Sequence, residues 1–308
     1  MTGPPVEKSN MRLALLPLAL FLPLLFAQQP ALRGADTFAR GQKDATFNFE
    51  FQEGMIVLQM RVNGSRPLAF VLDTGSSRNL IDRKLAESLG LKATGSGSLQ
   101  GAGSGRIPIS FVEGVSISLP GLESTGYDFS TLDLAPLNAS IGIHEDGLLG
   151  YEVLKRFVVT VDYAAKHITF TSPAAFRPDP KSLELPIEIR NKWPFVKGEL
   201  VLPGNVTVQD SFLIDSGSSD SVDHPIVMTM QSRKPTATGV GFGEPGQGAV
   251  AQATAFRLGR LGVASPTVVC CGATEATSKL IGSEILRHFT VTFDYSSSRI
   301  FLTPNGTL

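Results

Sequence analysis

The chain carries one eight-residue pattern twice. Phe70-Val71-Leu72-Asp73-Thr74-Gly75-Ser76-Ser77 returns 142 residues later as Phe212-Leu213-Ile214-Asp215-Ser216-Gly217-Ser218-Ser219. Two further stretches repeat at a spacing of 132 residues. Gly150-Tyr151-Glu152-Val153-Leu154 is matched by Gly282-Ser283-Glu284-Ile285-Leu286, and Val159-Thr160-Val161-Asp162-Tyr163 by Val291-Thr292-Phe293-Asp294-Tyr295. Solenoid repeats run to only about 20–50 residues. A unit this long instead predicts two homologous lobes, residues 45–172 and 186–304, separated by a stretch holding Pro173, Pro178, Pro180 and Pro186.

Ahead of the first copy, Lys8 and Arg12 precede an apolar run over residues 13–26 that only Pro17 and Pro23 interrupt. The run is shorter than the about 20 residues of a membrane span. It predicts a signal peptide over residues 1–27, cut after Ala27, and an exported chain with no stable membrane insertion after cleavage.

Composition narrows the classes further. With 27 Lys+Arg against 28 Asp+Glu, the net charge of -1 lacks the positive footprint a nucleic-acid binder needs. The 31 Gly and 20 Pro have no collagen period, so they predict many turns between short strands. Cys270 and Cys271 are adjacent and read as small buried hydrophobes on a strand. His144, His167, His224 and His288 are scattered without metal-ligand spacing, so neither a metal nor a cofactor is expected.

Local patterns place the motifs. Residues 55–62 alternate apolar and polar, and residues 68–72 form a continuous apolar strand that delivers Asp73. Residues 82–89 read as a helix closed by Gly90, with residues 225–233 in its place in the second copy. Residues 107–111 and 115–119 read as two strands around a turn at Glu113-Gly114. The Gly-rich residues 95–105 and 239–248 read as two flaps. Gly241-Phe242-Gly243-Glu244-Pro245-Gly246 fits a dinucleotide-loop pattern in form only, since Pro245 interrupts it and no helix follows. Asp162-Tyr163 and Asp294-Tyr295 stand at strand ends and read as structural, and Trp193 reads as core.

The chemistry follows from the duplicated aspartates. Each motif ends a buried strand in a carboxylate, then supplies a small hydroxyl residue and a glycine that lets backbone approach backbone. One such motif is ordinary turn chemistry. Two copies related by a pseudo-twofold would bring Asp73 and Asp215 together. Two carboxylates a few ångströms apart share one proton, so one serves as base and the other as acid. Such a pair can activate water for attack on an amide with no metal and no covalent intermediate.

These residues make the chain resemble the pepsin/retropepsin clan of aspartic peptidases, most closely the bacterial retropepsin-like members. The resemblance spans residues 55–302 and implies an all-β, bilobal acid-protease fold with short helices. Leu148-Leu149-Gly150 and Leu280-Ile281-Gly282 match the element that crosses beneath each active-site loop in that family. The resemblance implies catalysis by Asp73 and Asp215, with Thr74 and Ser216 bracing the two loops. It further implies that Gly75, Gly217, Gly150 and Gly282 shape them, and that Ser76 and Ser218 hydrogen-bond the outer carboxylate oxygens. A peptide or protein substrate and a monomeric chain follow. The second copy departs at Asp223-His224, where the first has Ile81-Asp82 and an apolar residue is usual. The alternative reading is a catalytically inactive protein of the same fold that binds peptide or glycan between the lobes.

Overall fold

Period-two alternation accounts for most of the regular structure. In the computed structural model the described residues are Met1, Gly3, 34–100, 106–238, 246–270 and 279–306. The expected signal segment therefore lies almost wholly outside them. The compact unit Gly34–Leu308 is all-β with short helices, the bilobal architecture expected of an aspartic-protease-like fold.

In the first half, Met55–Val62 pairs antiparallel with Leu68–Leu72, with Leu58 opposite Phe70. Gly147–Leu149 then pairs parallel with that strand, setting Leu72 beside Leu149. The second half repeats this: Val206–Ile214 runs antiparallel to Trp193–Leu202, and Leu280–Ile281 pairs parallel with Leu213 and Ile214. The stretches that lead into the two aspartates are buried on both faces, Phe70, Val71 and Leu72 in one and Phe212, Leu213 and Ile214 in the other.

A run of six strands joins the halves. Its order is Asp44–Asn48, His167–Thr171, Val158–Asp162, Phe289–Asp294, Arg299–Pro304 and Leu183–Arg190. At its centre Thr160 faces Thr292, its counterpart in the repeat, with the two hydroxyls 2.9 Å apart. On either side Val159 faces Phe293 and Val161 faces Val291, so the pairing is symmetric about Thr160 and Thr292. The sheet therefore carries a local twofold. One hydrophobic cluster runs from Leu58 and Leu72 through Val159, Val161, Val291 and Phe293 to Ile214 and Ile281.

Several expectations need correction. Glu113-Gly114 does not end a strand. Arg106–Leu119 is one 14-residue strand whose register shifts between Val112 and Val115. Gly114, at φ 70°, absorbs the extra residue as a bulge. The helix over residues 82–89 is Arg83–Ser88, because the Asp82 side chain accepts the Leu85 N–H at 3.0 Å and caps it. In the second half Pro225–Thr229 is a 3-10 turn. Leu183–Arg190 is extended through Pro186. Cys270 is completely buried at the end of the strand Thr267–Cys270, as expected, but it is not a free thiol. It is disulfide-bonded, and the chain's one other cysteine, Cys271, lies outside the described residues. Trp193 is only half-buried, packed against Phe195, Leu213 and Leu280.

The turn aspartates behave as read. Asp162 accepts the Ala165 N–H at 2.9 Å, and Asp294 accepts the Ser296 hydroxyl at 2.6 Å and the Ser297 N–H at 3.1 Å. The bases of both expected flaps are antiparallel hairpin arms, Gly95–Gln100 with Arg106–Leu119 and Lys234–Thr238 with Gly246–Gln252. Their tips, residues 101–105 and 239–245, lie outside the described residues. No helix among the described residues is long and apolar enough to cross a membrane.

Candidate active site

Each aspartate is fixed by the strand that ends on it. The Asp73 N–H donates to the Leu149 carbonyl at 2.9 Å, and the Asp215 N–H to the Ile281 carbonyl at 2.9 Å. The chain then folds back on itself: Ser76 N–H donates to the Asp73 carbonyl at 3.2 Å, and Ser218 N–H to the Asp215 carbonyl at 3.3 Å. Gly150 and Gly282 lie under these loops. A Cβ on Gly150 would stand 2.6 Å from the Arg78 carbonyl oxygen, and one on Gly282 2.8 Å from that of Ser218.

The two loops are locked together by a reciprocal set of hydrogen bonds. Thr74 N–H donates to Ser216 Oγ at 3.1 Å, and Ser216 N–H to Thr74 Oγ1 at 2.8 Å. The same hydroxyls reach across to the opposite strands, Thr74 Oγ1 to the Ile214 carbonyl at 2.7 Å and Ser216 Oγ to the Leu72 carbonyl at 2.8 Å. Thr74 and Ser216 are buried, so every bond replaces one that water cannot supply.

This lock presses each glycine onto the other loop's carboxyl group. A Cβ on Gly75 would lie 2.5 Å from Asp215 Cγ, and a Cβ on Gly217 would lie 2.5 Å from Asp73 Cγ. Both aspartates are partly buried, with Asp73 Oδ1 shut off from solvent, and each carboxyl group shifts the proton affinity of the other. Desolvation by burial pushes Asp73 well above the ordinary carboxylate range, and the neighbouring Asp215 and then Glu145 add to it. Burial also raises Asp215, opposed by the Gly217 N–H that donates to its Oδ1 at 2.9 Å.

The structure thus brings together Asp73, Thr74 and Gly75 with Asp215, Ser216 and Gly217. Ser76 and Ser218 differ from expectation. The Ser76 hydroxyl donates to the Arg78 carbonyl at 2.7 Å, and Ser218 Oγ accepts the Asp220 N–H at 3.2 Å. Both satisfy their own loop, since the main-chain groups nearest them are otherwise without partners in so tight a turn.

Three features were not assigned to the site from the sequence, although the acidic departure at Asp223 was visible there. Glu145 is buried with one carboxyl oxygen unpartnered, and burial raises it to about 7. Its sequence signal was slight, an acid within a repeated region with no acidic counterpart in the other copy. The Tyr295 hydroxyl is also buried and without a partner among the described residues, within the electrostatic field of both aspartates. Asp220 and Asp223 form a second acidic pair beside Asp215, where burial raises both and the Asp220 charge raises Asp223 further. Their signal was a break in the duplication, because Arg78 and Ile81 occupy the equivalent places in the first copy.

Comparison with known proteins agrees with this geometry in the first half. Residues 58–153 match the family model described as aspartyl protease, a segment that includes Asp73-Thr74-Gly75 and Leu148-Leu149-Gly150. The second copy lies outside the matched segment. No curated protein matches the chain. The fold is thus aspartic-protease-like, and a segment of its first half matches the aspartyl protease family.

Proposed function

We propose that this chain is an aspartic-type endopeptidase in which Asp73 and Asp215 act as one catalytic unit. The observation that carries the reading is the reciprocal packing of Gly75 on the Asp215 carboxyl and Gly217 on that of Asp73. That packing is what a pair sharing one proton requires. The ionised member takes a proton from water as the water oxygen bonds to the amide carbonyl carbon. The protonated member gives its proton to the carbonyl oxygen. The tetrahedral diol then collapses: the C–N bond breaks, the amine nitrogen takes a proton from the pair, and the departing hydroxyl proton returns to it.

The reading extends to an exported monomer acting on extended peptide or protein chains. The apolar run at residues 13–26 supports export. The test is hydrolysis of an unstructured protein between pH 3 and 7, with products mapped by mass spectrometry beside an Asp73→Asn control. Cleavage that disappears in the control supports the proposal. A folded protein that cuts nothing at any pH, yet binds peptide or glycan, assigns the cleft to binding alone.

A further inference from the structure

The second carboxyl pair borders a cavity of about 450 Å³ that opens beside Asp215 and Gly217. Its acidic lining residues are Glu53, Asp215, Asp220 and Asp223, and no Lys, Arg or His among the described residues lines it. The neighbouring basic side chains are turned elsewhere: Lys279 and His224 both face Asp210, at 2.7 and 3.4 Å. Ser140 and Ile141 reach the cavity from the first half, and Val250 and Leu280 supply apolar wall.

Asp223 is the informative member. It is 7% exposed and lines the cavity, and its Oδ1 has no hydrogen-bond partner among the described residues. A buried carboxyl with an unpartnered oxygen is costly unless a partner arrives. Nothing in the fold needs an acid there, since the repeat places Ile81 at the equivalent position and buries it completely. We propose that this cavity is a substrate subsite that selects a Lys or Arg side chain next to the scissile bond, with Asp220 and Asp223 as its specificity-determining residues. The apolar walls take the methylene stem, and the cationic head meets two carboxyl groups that line the same cavity. A neutral apolar side chain would leave Asp223 Oδ1 without a partner. An acidic one would add like charge.

The inference rests on the endopeptidase reading, and its test separates the two. Peptides identical except for Lys, norleucine or Glu at each position flanking the cleaved bond are compared by kcat/KM. Lys should exceed norleucine at one flanking position by at least about tenfold. In the Asp220→Asn/Asp223→Asn protein that ratio should fall to near one, and in Asp220→Asn alone to an intermediate value. A ratio within one protein is unaffected by loss of folded fraction. Equal rates for Lys and norleucine in the wild type, or a preference that survives the double substitution, would overturn the proposal. If the chain cleaves nothing, the same peptides are measured by fluorescence anisotropy on Asp73→Asn protein. A Lys preference there, lost on adding the two substitutions, upholds the subsite while the endopeptidase reading fails. Equal binding of Lys and norleucine peptides overturns the subsite as well.

Discussion

Adding one methyl group at Gly75 should disable the site without unfolding the protein. The new Cβ of Gly75→Ala would lie 2.5 Å from Asp215 Cγ and Oδ2 and 2.6 Å from Oδ1. Relaxed contact between non-bonded heavy atoms needs about 3.5–4.0 Å, so the two groups must separate by about 1 Å. The carboxyl group has little freedom to retreat. Its Oδ1 is held by the Gly217 N–H at 2.9 Å, and the loop beneath is pinned by the bonds between Thr74 and Ser216. The strain therefore falls on the distance between the two carboxyl groups. A misplacement of about 1 Å in a catalytic constellation costs about 10²-fold in rate, while overpacking of this kind costs about 1–3 kcal/mol of stability. The assay is kcat on a cleaved peptide, with a circular dichroism melt for integrity. Gly217→Ala should behave alike, its Cβ meeting Asp73 Cγ at 2.5 Å. Gly262→Ala is the control, because its nearest contact would be an ordinary 3.6 Å to Arg257 Cγ. A Gly75→Ala protein with wild-type kcat would refute the reasoning.

Other consequences follow from the same geometry. Thr74→Val removes the acceptor of the Ser216 N–H and the donor to the Ile214 carbonyl. Two buried groups left unpaired at about 1–3 kcal/mol each should lower stability by about 2–6 kcal/mol in urea unfolding, whereas Thr74→Ser should keep most of it. Glu145, raised by burial to about 7, binds its proton more tightly folded than unfolded. Its contribution is complete below about pH 4.5 and is lost as pH rises through 7, a swing of about 3 kcal/mol. Burial raises Asp73 and Asp223 in the same direction. Stability from urea midpoints should thus fall from pH 4 to pH 8, and Glu145→Gln should flatten part of that slope. A slope unchanged by Glu145→Gln would contradict the assignment.

The sequence made the site's skeleton legible because duplication reports symmetry. The strands Met55–Val62 and Leu68–Leu72 have the bounds their patterns predict, since a buried strand needs an unbroken or alternating apolar run and little else. Asp73 and Asp215 could be paired from the repeat alone. What escaped depends on contacts rather than pattern. The Glu113-Gly114 pair serves a bulge as readily as a turn, and only the long partner strand Leu122–Leu132 decides between them. The hydroxyl of Ser76 chose the Arg78 carbonyl over a carboxylate, a preference set by the local turn. Asp220, Asp223 and Glu145 acquire meaning only from burial. The adjacent cysteines gave no sign that Cys270 would be bonded rather than packed as a thiol.

The central claim is that two carboxyl groups share one proton and act as a unit, and a double-mutant cycle on kcat/KM tests it most directly. Asp73→Asn and Asp215→Asn, each verified as folded, should lose about 10³-fold or more. The double substitution should cost little beyond either single one, since removing one member already disables the pair. Single variants that retain a substantial fraction of activity, or losses that multiply in the double variant, would mean that Asp73 and Asp215 work separately and would contradict the account.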